Sequence, residues 1–358
     1  MKKSISIGIP FLLIALQFGM QGCTTRKGSE PQLGRASLKK VIAALTTDEK
    51  LALIVGVGNG KTPPPGVPVY DPKSGISIED QITLNSNPIF TPTVDGCLWG
   101  IPRLGIRSTV MGGVTIACSN PKDSTQEVRY TAFPAETALA ATWNIPLIEE
   151  TGRAIGNEVL ESNVDILLEP GLNIHRNPMC GRNFEYFSED PLLSGKMAAA
   201  YVRGVQSQGV GAAIKHFAAN NQETNRKSYN AIISQRALRE IYLRGFEIAV
   251  KESHPWSIMT SYNKFNGYYT AENPELLRTV VRGEWGFDGL FMTDWDGLGS
   301  AVAKVRAGNN LLMSGSKSEL DELNAALKNK SLDEKVIDQS LEYILKFEST
   351  PKSVFVFN

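Results

Sequence analysis

From about residue 108 onward, short apolar runs bounded by turn residues alternate with stretches of helical periodicity. The runs are 108–111, Val164-Asp165-Ile166-Leu167-Leu168, Ala212-Ala213-Ile214, Ile258-Met259, Leu290-Phe291-Met292 and Leu311-Leu312-Met313. Between them, apolar residues recur three and four apart: through Ile148, Ile155 and Val159, then over 193–208, 238–250, 274–285 and 302–307. That recurrence puts one apolar stripe on each helix, whereas a continuous apolar run suits a strand buried on both faces. Two further helices, 318–328 and 332–347, end the pattern. Repeated strand–helix units with short connections predict parallel strands joined by right-handed crossovers. A doubly wound sheet and a closed barrel both satisfy this. The number of units, their span of about 250 residues and the lack of a glycine-rich phosphate loop after the first strand favour the barrel. The expected class is α/β, a (β/α)8 barrel of TIM type, regular or irregular, with an N-terminal leader.

The leader reads differently. Residues 37–55 predict a helical lead-in, started by Thr46-Thr47-Asp48-Glu49, and a loop rich in Pro, Gly and Asn follows over 56–95. Before it, Lys2 and Lys3 precede the apolar run 5–20, which ends at Gln21-Gly22-Cys23. This has the form of an export signal and is short for a membrane span, which needs roughly 20 apolar residues. The expected organisation is a lipoprotein-type signal over 1–22, a polar tether over 23–36, the lead-in and loop over 37–97, and the barrel over 98–358. Cys23 after Gly22 resembles the lipid-attachment site of bacterial lipoproteins. That implies an exported protein, periplasmic or anchored at the outer membrane, touching the membrane only through its lipid. An ordinary signal peptide is the alternative.

Composition narrows the partners slightly. Basic and acidic residues balance at 37 each, so no basic excess points to nucleic acid. After Cys23, the cysteines Cys97, Cys118 and Cys180 lack zinc-site spacing. Cys97 and Cys118 pairing in an oxidising compartment, and three buried thiols, both remain open.

Polar clusters follow the last apolar residue of several runs: Lys215-His216, Ser261-Tyr262-Asn263 and Thr293-Asp294-Trp295. In a barrel such positions converge on one rim, where active sites are built. Asp294 reads either as the cap of the next helix or as a carboxylate facing the mouth, with Trp295 as an aromatic platform for a sugar. Lys215 and His216 directly after a buried strand need partners, either a structural salt bridge or a ligand. Arg182, in the run from Gly181 to Pro191, is suited to grip two vicinal hydroxyls or to pair with Glu185. Tyr262 is read either as packing or as a hydroxyl reaching Asp294.

Taken jointly, the run Gly181 to Pro191, the run Lys215 to Arg226 (Lys-His-Phe-Ala-Ala-Asn-Asn-Gln-Glu-Thr-Asn-Arg), Ser261 to Asn266 and Met292 to Trp295 resemble the successive signatures of the β-glucosidase branch of glycoside hydrolase family three. Ala132-Phe133-Pro134, Ala141-Thr142-Trp143-Asn144 and Leu172-Asn173-Ile174-His175-Arg176-Asn177-Pro178 match as well, so the resemblance covers roughly residues 101–345. It implies retaining hydrolysis of terminal β-linked glucosides or related small glycosides, with no metal or organic cofactor. Asp294 takes the place of the nucleophile. Arg182, Lys215 and His216 become ligands of sugar hydroxyls, Tyr262 a neighbour of the nucleophile and Trp295 part of the pocket wall.

Two departures stand against it. Met111-Gly112-Gly113-Val114-Thr115-Ile116 places Gly113 where the family carries an aspartate that clasps the substrate. The branch's general acid/base, a glutamate on a second α/β domain after the barrel, has no identified counterpart in the 358 residues. Nor does Ala218-Ala219-Asn220-Asn221 carry the Pro-Gly-His-Gly loop of the single-domain hexosaminidase branch. The expectation is a nucleophile without an identified acid. A catalytically impaired sugar-binding barrel, or a truncated product needing a separate second domain, is the alternative.

Overall fold

The computed structural model describes residues 30–58, 94–98, 100–107, 109–113, 117–120, 123–162 and 164–349. The apolar run 5–20, Cys23 and most of the loop 56–95 lie outside the described residues.

Five parallel strands form the curled core of the sheet: Thr109–Gly112, Ile166–Leu167, Gly211–Phe217, Ser257–Thr260 and Leu290–Thr293. The sheet closes on itself. Met292 bridges Leu311 in parallel, Leu312 bridges Val55 in parallel, and the Gly56 N–H donates to the Leu312 carbonyl at 2.9 Å. Val57–Gly58 then pairs antiparallel with Val94–Leu98, which pairs antiparallel with Thr109–Gly112. The result is a TIM-type α/β barrel, irregular because one strand runs against the rest. Its first two strands, Val57–Gly58 and Val94–Leu98, come from the segment up to residue 98.

The strands are apolar on both faces because two packing layers meet there. Met111, Ile166, Leu168, Ala213, Met259 and Met292 fill the inner layer, while Leu167, Ala212, Ile214, Ile258 and Phe291 pack outward. Helices Ile145–Glu161, Pro191–Gln206 and Arg244–Ser253 lie over that outer face. The first two touch backbone to backbone: a Cβ on Gly204 would lie 2.2 Å from the Glu149 carbonyl oxygen. Each of these two helices is started by a side chain, Asn144 on the Leu147 N–H and Asp190 on the Leu192 N–H.

The lead-in is two helices, Leu38–Ala44 and Thr47–Ile54, the second opened by a Thr46–Glu49 capping box. Residues 31–36 are attached to the barrel rather than loose: the Leu33 N–H donates to the Leu104 carbonyl at 2.8 Å. The stretches expected as single helices at 238–250 and 274–285 contain wider π turns, Leu238–Tyr242 and Glu275–Glu284.

Candidate active site

The strand Leu290–Thr293 hands the chain to Asp294, whose N–H still reaches the Thr260 carbonyl of the neighbouring strand at 3.1 Å. This places Asp294 on the rim where the parallel strands end. It is not a helix cap: the next helix begins at Ala301 and is capped by Ser300. One carboxylate oxygen accepts from the Trp295 N–H at 2.7 Å. The other, Oδ2, is buried without a hydrogen bond, and His216 Nε2 lies 3.6 Å away. A buried acceptor left unpaired is costly, so an oxygen in this state is poised for a partner. The Trp295 side chain is half-buried, packed against the inner core.

His216 is fixed from two directions. Its N–H donates to Asn173 Oδ1 at 2.8 Å, and the Asn173 amide donates back to the His216 carbonyl at 3.0 Å. Its Nδ1 stands 3.2 Å from the Tyr186 hydroxyl. Burial first, then the charges of Arg182, Lys215 and Arg226, push the imidazole pKa well below its ordinary value. The ring is therefore neutral. For Nε2 to donate towards Asp294, Nδ1 must accept and Tyr186 must donate.

Glu185 ties two cations together. It accepts from Arg182 Nε through one oxygen and lies 3.3 Å from Lys215 Nζ through the other. Its loop position comes from the short 3-10 turn Asn183–Glu185, which opens at Arg182. The Trp295 N–H most, then Tyr262, Arg182 and Lys215, lower the pKa of Asp294. Burial raises it by more, so the net direction is upward from the usual carboxylate value. Tyr262 is itself buried, and Arg226 lies over its ring at 4.8 Å from the centroid. Arg226 in turn is held by Glu223 at 3.2 Å.

All six residues singled out for chemistry beyond Cys23 thus gather at one rim: Arg182, Lys215, His216, Tyr262, Asp294 and Trp295. Sequence reasoning named no role for Asn173, Tyr186 or Arg226. Each lies inside a quoted motif, but only the fold shows that they hold His216 and Tyr262. Gly113 follows Thr109–Gly112 on the same rim, beside Leu168, whose N–H donates to the Gly112 carbonyl at 2.9 Å. Cys180 is a free, half-buried thiol. The side chains of Cys97 and Cys118 lie outside the described residues.

An irregular α/β barrel of TIM type with a buried carboxylate and a ring of donors at one rim is a scaffold on which polar small-molecule sites are built. The comparisons narrow the class. Residues 122–347 match the model described as the glycosyl hydrolase family 3 N terminal domain. Thermostable β-glucosidase B of Acetivibrio thermocellus is 44% identical over 253 residues, covering 69% of this chain and 34% of that protein. β-Glucosidase B of Emericella nidulans is 40% identical over 316 residues, covering 87% of this chain and 33% of the relative. The structure of β-glucosidase 3B from Thermotoga neapolitana in complex with glucose superposes with a TM-score of 0.75 at 46% identity, covering 87% of this chain and 42% of that one. The chain belongs to glycoside hydrolase family 3. It spans about a third of the length of the curated relatives it matches.

Proposed function

We propose that this barrel carries the nucleophile of a retaining glycosidase that acts on terminal β-linked glucosides or related small glycosides. The observation behind the reading is the state of Asp294: a buried strand-end carboxylate with one oxygen held by the Trp295 N–H and the other unpaired. In this reading Oδ2 attacks the anomeric carbon as the bond to the leaving oxygen breaks. Water later cleaves the glycosyl ester, restoring the carboxylate. The Trp295 N–H and Tyr262 orient the carboxylate, and neutral His216 donates rather than competes as a cation. Arg182 and Lys215, fixed through Glu185, donate to sugar hydroxyls as charged groups do best.

The relatives named β-glucosidases and the glucose bound to the Thermotoga protein support this substrate class. An exo-α-(1->6)-L-arabinopyranosidase of Bifidobacterium longum, 50% identical over 197 residues, keeps related pyranosides within it. Gly113 favours a second reading, a barrel that binds sugar and turns it over poorly. A missing carboxylate there removes charge-assisted hydrogen bonds worth on the order of 1.5–3 kcal/mol each. The export and lipid anchoring implied by 5–20 and Cys23 complete the proposal. Loss of the protein from the membrane fraction on Cys23→Ser tests that part.

A nitrophenyl β-glucoside, whose leaving group needs little protonation, tests the rest. Hydrolysis by the chain should give β-glucose as the first product by NMR and should vanish in Asp294→Ala. An inverted first product, or an unaffected Asp294→Ala variant, overturns the reading.

A further inference from the structure

We propose that Lys227 is a positioning residue for Asp294, acting through Tyr262 and through the turn that follows the carboxylate. This rests on the reading of Asp294 as nucleophile. Lys227 lies in no strand or helix and only one residue beyond Arg226, yet its side chain reaches two places that matter to the site. Its Nζ stands 5.0 Å from the centroid of the Tyr262 ring. The same Nζ donates to the Asp296 carbonyl at 3.3 Å, two residues past Asp294.

Both targets bear on the carboxylate. The Tyr262 hydroxyl and the Asp294 carboxylate are electrostatically coupled, the phenol lowering the carboxyl pKa and the carboxylate raising that of the phenol. When a phenol donates to a carboxylate, negative charge builds on its oxygen and ring, and a cation on the ring face favours that polarisation. Asp296 sits in the left-handed region at φ 54, where a non-glycine residue needs support from its surroundings. Bonds that contribute to that support include its N–H to the Met313 carbonyl at 3.1 Å, Ser314 Oγ to its carboxylate at 2.7 Å, and Lys227 to its carbonyl. Lys227 is the one of these that also touches Tyr262.

The loop that carries Lys227 is itself anchored. The Tyr229 hydroxyl donates to the Ala219 carbonyl at 2.5 Å and accepts from the Asn221 N–H at 3.1 Å, and the Lys264 N–H donates to the Tyr229 carbonyl at 2.9 Å. The ammonium therefore projects from a fixed base. It spans from that base to both the donor and the turn of the nucleophile, which a merely solvating lysine would not do.

The test uses the full chain with Lys227→Met and Lys227→Arg, assayed on nitrophenyl β-glucoside. Lys227→Met should lower kcat about 3- to 5-fold with KM within about twofold, the factor expected for a partly exposed cation over a ring. Lys227→Arg, which restores a cation and a donor, should return kcat to within about twofold of the parent. An unchanged kcat in Lys227→Met, a loss in KM alone, or a Lys227→Arg variant as impaired as the methionine overturns the inference. A second readout is independent of turnover. With 3-fluorotyrosine at position 262, the fluorine resonance should move in Lys227→Met and return in Lys227→Arg. An unmoved resonance overturns the inference even if Asp294 is the nucleophile, whereas covalent labelling of a carboxylate other than Asp294 by a fluoroglucoside overturns the reading of Asp294 instead.

Discussion

Replacing Glu136 with glutamine should remove a pH dependence of stability that the fold builds in. Glu136 opens the helix Glu136–Ala140 and is only 8% exposed. Burial, then the charge of Glu169, pushes its carboxyl up to about 8 from an ordinary 4.5, against the pull of Lys215. Between those two values the folded protein holds a proton that the unfolded chain has released. The contribution of Glu136 to stability is therefore fully present below about pH 4.5 and falls as pH rises, levelling off above about pH 8. At 1.36 kcal/mol per pH unit, the loss from pH 4.5 to pH 7 is on the order of 3 kcal/mol. Glutamine has nearly the same shape and cannot ionise, so Glu136→Gln keeps the packing and loses the slope. Urea unfolding of both proteins at intervals from pH 4.5 to pH 8, followed by tryptophan fluorescence, gives the difference directly. The variant should gain on the parent steadily across that window. Parallel curves would refute the reasoning and would mean that Glu136 is ionised in the folded protein.

Two other outcomes follow from contacts already described. Gly204→Ala should destabilise the barrel by about 2 kcal/mol or more in chemical unfolding, because its Cβ would lie 2.2 Å from the Glu149 carbonyl oxygen and 2.8 Å from the Arg153 nitrogen. A gain, as helix propensity alone would give, would show that the two helices separate at little cost. For the site, kcat/KM on an aryl glucoside should fall on the acidic side with an apparent pKa above the ordinary aspartate value of 3.8, since burial outweighs the cations around Asp294. A limb at or below that value would mean that the Trp295 N–H, Tyr262 and the cations together outweigh burial.

The five parallel strands and the helices over them were legible because the strands are short apolar runs and the helices carry apolar residues three and four apart. The two strands that precede them were not. Val94-Asp95-Gly96-Cys97-Leu98 has no apolar run, and Val57–Gly58 lies at the edge of a stretch rich in proline and glycine, so the segment reads as loop. The π turns at Leu238–Tyr242 and Glu275–Glu284 keep the three-and-four spacing and so hide within an ordinary helical pattern. At the site, the strand-end positions of Lys215, His216, Tyr262 and Asp294 were legible from runs and their flanking polar residues. What the sequence did not reveal is the balance at Asp294: it lists the cations that lower the pKa, but the larger effect, burial, is a property of the closed rim. The holders of His216 were equally hidden, since Asn173 and Tyr186 meet it only across strands.

In the proposed reaction the unpaired oxygen of Asp294 forms the bond to the sugar. Incubating the chain with a 2-deoxy-2-fluoro β-glucoside that has a good leaving group, followed by proteolysis and mass spectrometry, tests it most directly. One fluoroglucosyl label per chain is expected, on the peptide containing Met292-Thr293-Asp294-Trp295 and on Asp294 within it. A label on another carboxylate such as Glu185 or Glu223, or glucose binding without any label, would contradict it.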